Sequence, residues 1–298
     1  MRGLALTFLA KKYFLLEAGE KAPTVEELCQ ESKISQGTMQ AAINILKEDG
    51  AISTRSRGHL GTFVEDVQPK RLLSYLKNQN LVGSLPLPYT KKYEGLATGI
   101  YKSFFNSNIR VGLSYMNGSR NRLSGLTEDR NNFIITSGLT ADYLINKYSN
   151  LEIFLELPKG SYLTRHVLLF RKNENSQITD GSKIGVDANS IDYSLLTNYV
   201  TKGHKVNLIK MPYNQVTKSL ESGKIDFAIW NEDEIVEHNY PVDYRQITGA
   251  LTERSSQAMF IGKKGDEFTK SILQKTINID NLLKIQKAVI SGTILPEY

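Results

Sequence analysis

Residues 23–64 read PTVEELCQESKISQGTMQAAINILKEDGAISTRSRGHLGTFV, and this stretch decides what kind of protein the chain is. Thr24 followed three residues later by Glu27 is a capping box, in which each residue satisfies a free backbone N–H of the other. It opens a helix with Val25, Leu28 and Cys29 on its inner face. Ser32-Lys33-Ile34-Ser35 reads as a turn with Ile34 pointing inward, and Ser35 is placed to cap the next helix through its hydroxyl. In that helix Met39, Ala42, Ile43 and Leu46 fall at i, i+3, i+4 and i+7, the spacing of a buried stripe. Gln36, Gln40 and Asn44 fall four apart on another face, with Thr38 near the exposed N-terminal end. Short polar amides in such a place can reach base edges, and Gln or Asn to adenine is the favoured pairing. Gly50 ends the helix. Ala51–Arg55 and Gly61–Val64 then read as two strands, with Arg55-Ser56-Arg57-Gly58-His59 as a wing between them. Arg55 and Arg57 suit phosphates or a minor groove. A structural helix pair with a merely solvated polar face would have no use for that wing.

The segment resembles the GntR-type winged helix, whose recognition helix ends in a Leu…Asp-Gly and whose wing closes on Gly-Thr-Phe-Val, here Leu46…Asp49-Gly50 and Gly61-Thr62-Phe63-Val64. The resemblance implies binding to double-stranded DNA. That family often carries basic residues where Gln36 and Gln40 stand. Fewer cations release fewer counterions, so the salt dependence should be shallow and Lys33, Arg55, Arg57 and His59 must carry the phosphate contacts. Residues 33–64 set four cations against two carboxylates. One copy should therefore bind weakly, and a homodimer on a two-fold operator is the expected remedy.

The rest of the composition sets bounds. A chain of 298 residues favours two domains, and 40% apolar with 23% charged residues is ordinary for a globular protein. Net charge is +6 with a pI near 9.1, a mild bias toward polyanionic partners. The single cysteine, Cys29, excludes an intramolecular disulfide and fits a reducing, cytoplasmic setting. No apolar run is long enough to span a membrane. Gly3–Ala10 could pass for the core of a leader, but Lys11 and Lys12 break it. It reads instead as an amphipathic helix with Leu4, Phe8, Leu9, Leu15 and Leu16 inward.

The organisation along the chain is a winged helix-turn-helix over residues 1–66, a polar linker over 67–82 with a possible helix at Pro69–Gln79, and a larger domain over 83–298. In the larger domain Ile109–Tyr115, Phe133–Thr136, Leu151–Leu157, Lys183–Val186, Val206–Lys210 and Asp226–Trp230 read as strands. They alternate with helices at Glu94–Phe105, Thr140–Tyr148, Ile191–Val200 and Asn214–Ser222, which argues α/β architecture with largely parallel strands. Gly83–Tyr89, Tyr93–Gly99, Lys183–Asp192 and Ile225–Asn231 resemble a two-lobed, type 2 periplasmic-binding-protein-like effector domain. With Arg55–Gly58 and Gly61–Thr62 of the wing, the wording is closest to the YhfZ-like family of regulators. That resemblance implies one lobe at about 83–160 plus 239–298, a second at about 161–238, and a ligand in the cleft between them.

In such lobes ligands bind beyond the carboxyl ends of strands, where helix N-termini also point. Those ends are Leu87, Pro88 and Tyr89, then Met116, Asn117 and Gly118, Ser137 and Gly138, Asp187 to Asp192 with Ser190, and Trp230 with Asn231. Tyr93 and Glu94 open the first helix, while Ser161 and Tyr162 sit at the expected crossing between lobes. Ser137-Gly138 before a helix looks like an anion seat, and Arg120 could add charge pairing. Asp187 and Asp192 suit an amino group or a hydroxyl. Each has a plainer use: Asp192 as a helix cap, Trp230 as core, Tyr89 and Tyr93 as rim, Arg120 as solvated surface. His59, His166, His204 and His238 lack metal-ligand spacing, and no phosphate loop or nucleophile elbow is present. Glu232-Asp233-Glu234 reads as the start of a helix. The expectation is a cofactor-free, metal-free DNA-binding regulator without catalytic residues, controlled by a small anionic or amino-acid-like effector. The alternatives are a solute-binding protein or an enzyme on the same two-lobed fold.

Overall fold

The computed structural model describes residues 2–76, 80–105, 107 and 109–298. They divide into two compact units, one comprising residues 1–81, 103–111 and 266–277, the other 82–102, 112–265 and 278–298.

The first unit begins with α1 (Arg2–Phe14), α2 (Val25–Ser32) and α3 (Gln36–Glu48), then the hairpin β1 (Ile52–Ser56) and β2 (Thr62–Val67), then α4 (Pro69–Ser74). The Thr24 capping box forms: Glu27 N–H donates to Thr24 Oγ1 at 3.2 Å, and Thr24 N–H donates to Glu27 Oε2 at 2.7 Å. Lys33 ends α2 in the left-handed region and returns its N–H to Cys29 O. Ser35 does stand at the cap of α3, but its hydroxyl makes no capping bond and lies 3.0 Å from Thr38 Oγ1 instead. The stripe Met39, Ala42, Ile43 and Leu46 is buried as its spacing demands. The inner face of α1 differs from expectation. Ala5, Leu9, Ala10, Tyr13 and Phe14 are buried, whereas Leu4 is 65% exposed and the helix stops before Leu15 and Leu16. A face built on residues 5, 9 and 13 leaves Leu4 on the far side. The linker helix ends at Ser74, with Tyr75 and Leu76 beyond it, and the last expected positions Lys77, Asn78 and Gln79 lie outside the described residues. A late helix, Glu267–Thr276, belongs to this unit rather than to a lobe, because Phe268 packs edge-on to Phe14 at 5.9 Å and Lys275 Nζ donates to Phe14 O at 2.8 Å.

The second unit carries β3 (Asn80–Leu85), α5 (Lys91–Phe104), β4 (Arg110–Tyr115), α6 (Ser119–Thr127), β5 (Phe133–Ser137), α7 (Gly138–Lys147) and β6 (Leu151–Glu156). Next come β7 (His166–Arg171), β8 (Lys183–Val186), α8 (Ile191–Val200), β9 (Asn207–Lys210), α9 (Val216–Glu221), β10 (Phe227–Asn231), α10 (Glu232–His238) and β11 (Val242–Gln246). The chain closes with α11 (Ala250–Ser255), β12 (Ala258–Lys263), the late helix as α12, and α13 (Ile279–Ile290). Among the described residues these strands form two five-stranded sheets, ordered β4-β3-β5-β12-β6 and β11-β7-β10-β8-β9.

The sheets are mixed rather than largely parallel. β3 runs parallel to β5, and β8 parallel to both β9 and β10. β12 runs antiparallel to β5 and β6, and β7 antiparallel to β10 and β11. The two reversed strands are those with which the chain crosses from one lobe into the other. Each starts at the end where its neighbour stops, His166 opposite Asn231 and Ala258 opposite Ser137. The second lobe also runs further than expected. Val242–Gln246 pairs with β7, so the chain returns to the first lobe after Gln246 and not near residue 239. β5 and β10, buried at every position, are near-continuous apolar runs covered on both faces.

The lobes interlock. Ile191 of α8 packs in the first lobe's core with Ile134, Leu144 and Met259, while Leu139 of α7 packs in the second lobe's core with Leu168, Ile184 and Ile229. On another side α5 meets α13 at Gly95 and Gly99. A β-carbon at Gly99 would lie 3.0 Å from Leu282 O, and one at Gly95 2.8 Å from Gln286 O, so the small residues permit the approach.

Candidate functional site

The first candidate surface is the exposed face of α3 with its wing. Gln36, Gln40 and Asn44 are exposed, and Gln40 Nε2 donates to Asn44 Oδ1 at 3.2 Å, which holds the two amides side by side. Thr38 is half-buried; Ser35 and Lys33 are exposed. Arg55 and His59 are exposed on the wing, where His59 sits in the short turn Gly58–Leu60. The Arg57 guanidinium lies 4.6 Å over the Phe63 ring, a cation–π contact that sets its direction before any partner arrives. Lys21, bridged to Phe63 across the sheet edge, adds a cation that the sequence pattern did not single out.

The second candidate is the cleft between the two lobes. It is lined by loop ends from both: Pro86, Leu87 and Tyr89 after β3, Asn117 and Gly118 before α6 with Ser119 at its start, Asp187 and Ser190 before α8, and Asn231 at the end of β10. Arg122, Tyr93, Tyr162, His166, Asp192, Tyr193 and Tyr213 complete the wall. The free space enclosed is about 60 Å³.

Its cation is Arg122, not Arg120. Arg120 is exposed and tied to the second lobe through Nε to Ala188 O at 3.0 Å. Arg122 is 3% exposed and donates to Met116 O at 2.9 Å and to Tyr162 Oη at 3.3 Å. Its Nε has no partner, and among the described residues no ion pair to a carboxylate is formed. Asp187 and Asp192 line the same cleft but form no ion pair with Arg122, and a buried guanidinium left unpaired is costly to the fold, so an anion at its side relieves that cost. Ser119, Arg122 and Leu126 fall at i, i+3 and i+7, all buried on the inner face of α6. That period was readable and would have separated Arg122 from Arg120.

The expected anion seat at Ser137-Gly138 is filled by the protein itself. Ser137 caps α7, accepting from Thr140 N–H at 3.0 Å, and is wholly buried. Asp192 Oδ1 then accepts from Ser137 Oγ at 2.6 Å and Thr140 Oγ1 at 2.8 Å. Asp192 is thus no helix cap; Ser190 performs that task, accepting from Tyr193 N–H at 3.3 Å. A Cβ on Gly138 would meet Arg254, so that position is packing, not cleft. Asp187 accepts from Asn189 N–H at 2.9 Å and from Asn117 Nδ2 at 3.4 Å.

The remaining expected residues divide clearly. Pro88, Met116 and Glu94 are half-buried near the wall without lining it, although Met116 O holds Arg122. Ser161 is buried at the crossing, where its Oγ accepts from Ala258 N–H at 2.9 Å and its carbonyl from Gln286 Nε2 at 2.8 Å. Trp230 stands behind Tyr213, the rings stacked at 3.9 Å, and its Nε1 finds no partner. Tyr89 closes the outer side, stacked on Tyr213 at 5.4 Å.

His166, Tyr193 and Tyr213 were not expected. His166 becomes part of the wall only because β7 pairs with β10 and sets it beside Asn231, a long-range register that no local pattern encodes. Burial holds its imidazole below the usual histidine range, against the pull of Asp192 and Asp233. Burial also pushes the Tyr93, Tyr193 and Tyr213 hydroxyls well above their ordinary range, so they remain protonated donors. Behind the wall Tyr213 and Tyr240 donate to Glu234, whose carboxyl is raised mainly by burial. Among the described residues no group of three His, Cys, Asp or Glu could hold a metal ion, and no helix is long and apolar enough to cross a membrane.

Comparison with known proteins places this geometry. Residues 68–298 match the family of the YhfZ C-terminal domain, and residues 17–64 match a helix-turn-helix domain. The protein YhfZ of Escherichia coli (strain K12), described as uncharacterized, is 29% identical over 302 residues, covering 99% of this chain and 97% of its own. The crystal structure of YhfZ from Shigella flexneri superimposes with a TM-score of 0.66 at 27% identity, over 77% of this chain and 97% of that one. An ancestral arginine-binding protein bound to arginine gives 0.51 at 15% identity, over 73% and 96%. The amino acid transporter substrate-binding protein AbpA of Streptococcus pneumoniae, bound to L-arginine, gives 0.52 at 15%, over 74% and 97%. The last two share the two-lobed fold, and the resemblance read from the sequence holds.

Proposed function

Because this chain belongs to the YhfZ C-terminal domain family, we propose that it is a DNA-binding transcriptional regulator whose operator affinity is set by a small molecule held between its two lobes. One observation carries this reading: a helix-turn-helix with an exposed amide face shares its chain with a solute-binding-like domain whose cleft holds an unpaired, buried guanidinium. Gln36, Thr38, Gln40 and Asn44 read base edges. Lys33, Ser35, Arg55, Arg57 and His59 hold phosphates or the minor groove, in the GntR manner. With so few cations the protein works as a homodimer on a two-fold site, in the cytoplasm where DNA is found.

In the cleft Arg122 pairs with an anionic group of the effector. Asn117, Asp187, Ser190, Asp192 and Asn231 orient it, and Leu87, Tyr89, Tyr93, Tyr162 and Gly118 shape the wall. Arginine, named for two proteins of the same fold, has the amino-acid character that such a set would suit. The lobes are already joined by Asp192 to Ser137 and Thr140, by Ile191 N–H to Ser119 Oγ at 3.0 Å, and by Arg120 N–H to Asn189 O at 3.0 Å. An effector therefore acts by strengthening or loosening an existing closure, and the coupling to DNA is worth about 1–3 kcal/mol.

The test is selection of DNA sites from a random pool by the full chain, with and without a metabolite mixture. Enrichment of a two-fold site with half-sites about one helical turn apart supports the reading. No enrichment under either condition, with the protein folded, removes it.

A further inference from the structure

Resting on that effector reading, we propose that the cleft takes a small organic anion that carries a hydrogen-bond donor beside its carboxylate. Three side chains fix this class. Arg122 and Asn231 each keep one donor without an acceptor: Arg122 Nε is unpartnered, and so is Asn231 Nδ2. Asn231 is 2% exposed, and its Oδ1 is already used to accept from Asp233 N–H at 3.0 Å. Both ask the ligand for acceptor oxygens.

His166 asks for the opposite. Its Nδ1 lies 2.9 Å from Ser255 Oγ. Ser255 has one hydroxyl proton, and it goes to Thr252 O at 2.8 Å. Toward the ring the hydroxyl can only accept, so Nδ1 carries the ring proton and Nε2 keeps a lone pair. No protein donor among the described residues meets that Nε2, and the ring lines the cleft. Burial, which disfavours a second proton, keeps the ring neutral. Asp192 adds acceptor capacity, since its two hydroxyl donors both bind Oδ1. A ligand that satisfies the wall therefore accepts from Arg122 and Asn231 and donates to His166.

The space beside these three side chains is about 60 Å³, room for a carboxylate with its neighbouring donor, since one water needs roughly 10–15 Å³. Rings fill one side, Tyr89 on Tyr213 at 5.4 Å, Tyr213 on Trp230 at 3.9 Å, and Tyr193 on Trp230 at 6.2 Å. A second pocket of about 300 Å³, lined by Met211 and Pro212, shares Asn117 and Asp187 with the cleft and leaves room for a longer tail.

The experiment is calorimetric titration of the full chain with glycolate, glycine, propionate and L-arginine, each also tested for a shift in melting temperature. Propionate matches glycolate in size but replaces its hydroxyl with a methyl. Glycolate or glycine should bind about tenfold or more tightly than propionate, because a buried polar group left unmatched costs that much. L-arginine, which also carries a donor beside its carboxylate, should likewise bind more tightly than propionate. Propionate equal to the other three would overturn the role of His166. If none binds while the DNA selection still responds to the metabolite mixture, this inference fails and the effector reading stands. His166→Phe should bring glycolate and propionate together; a persisting preference in the folded variant counts against the assignment.

Discussion

Asp192→Ala tests the strongest fastening between the lobes. The carboxylate is 7% exposed and receives two hydroxyl bonds of 2.6 and 2.8 Å from residues that are fully buried. A hydrogen bond to a charged acceptor contributes about 1.5–3 kcal/mol net, so losing both should cost about 3–5 kcal/mol. The sum stays below twice the upper limit because Ser137 Oγ still accepts from Thr140 N–H. Asp192→Asn keeps the shape and one acceptor, and should cost about 1–2 kcal/mol. Urea unfolding can follow Trp230, the only tryptophan in the chain, which reports from the second lobe. The decisive quantity is the coupling in a double-mutant cycle with Thr140→Val, expected at about 1.5–3 kcal/mol. A coupling under about 0.5 kcal/mol would mean that the carboxylate does not hold α7, and the lobe closure would need another cause.

Other outcomes follow from the same geometry. Gly99→Leu forces a side chain against the α13 backbone and should lower stability by about 1–3 kcal/mol or more, measured by the same unfolding. Stability should also fall as pH drops below the ordinary histidine value of 6.5. The unfolded ring takes up a proton there that buried His166 refuses, despite the favourable pull of Asp192 and Asp233, so unfolding gains protons; His166→Gln should flatten that slope in melting scans across pH 5–7. Arg57→Ala should weaken DNA binding on every sequence, whereas Gln40→Ala should shift preference at one base position by about 1–3 kcal/mol. Equal losses from both on all sequences would refute that division of labour.

Local signals proved most legible. The Thr24 capping box, the Met39–Leu46 stripe and the wing arginines are each set by residues within one or two turns, and sequence spacing is enough to read them. The α/β class and the strand ends that carry Asp187 and Asn231 were legible for the same reason. What failed depended on partners far along the chain. β7 and β12 carry no sign of their reversed direction, because orientation is decided by which lobe the chain leaves. His166 joins the cleft wall only after that pairing. Ser137-Gly138 was read as a seat for a ligand because nothing nearby shows that Asp192 fills it. Arg120 and Arg122 differ by two positions, and the choice went to the wrong one because charge was weighed before helical period.

The pairing of Ser137 with Ala258 has a consequence for how the molecule is made. On a ribosome the first lobe's central strand, β5, emerges long before the strand that must lie beside it. Everything from β7 to β11 has to be synthesised in between, and that stretch forms a sheet of its own. The second lobe can assemble from near neighbours in time, while the first lobe waits with one flank of β5 unpaired. Closing so long a loop costs little more than closing a shorter one, but it slows the search. An unpaired, largely apolar strand is where a nascent chain is most exposed to wrong partners. Chaperone dependence should therefore concentrate in the first lobe, although it is translated first.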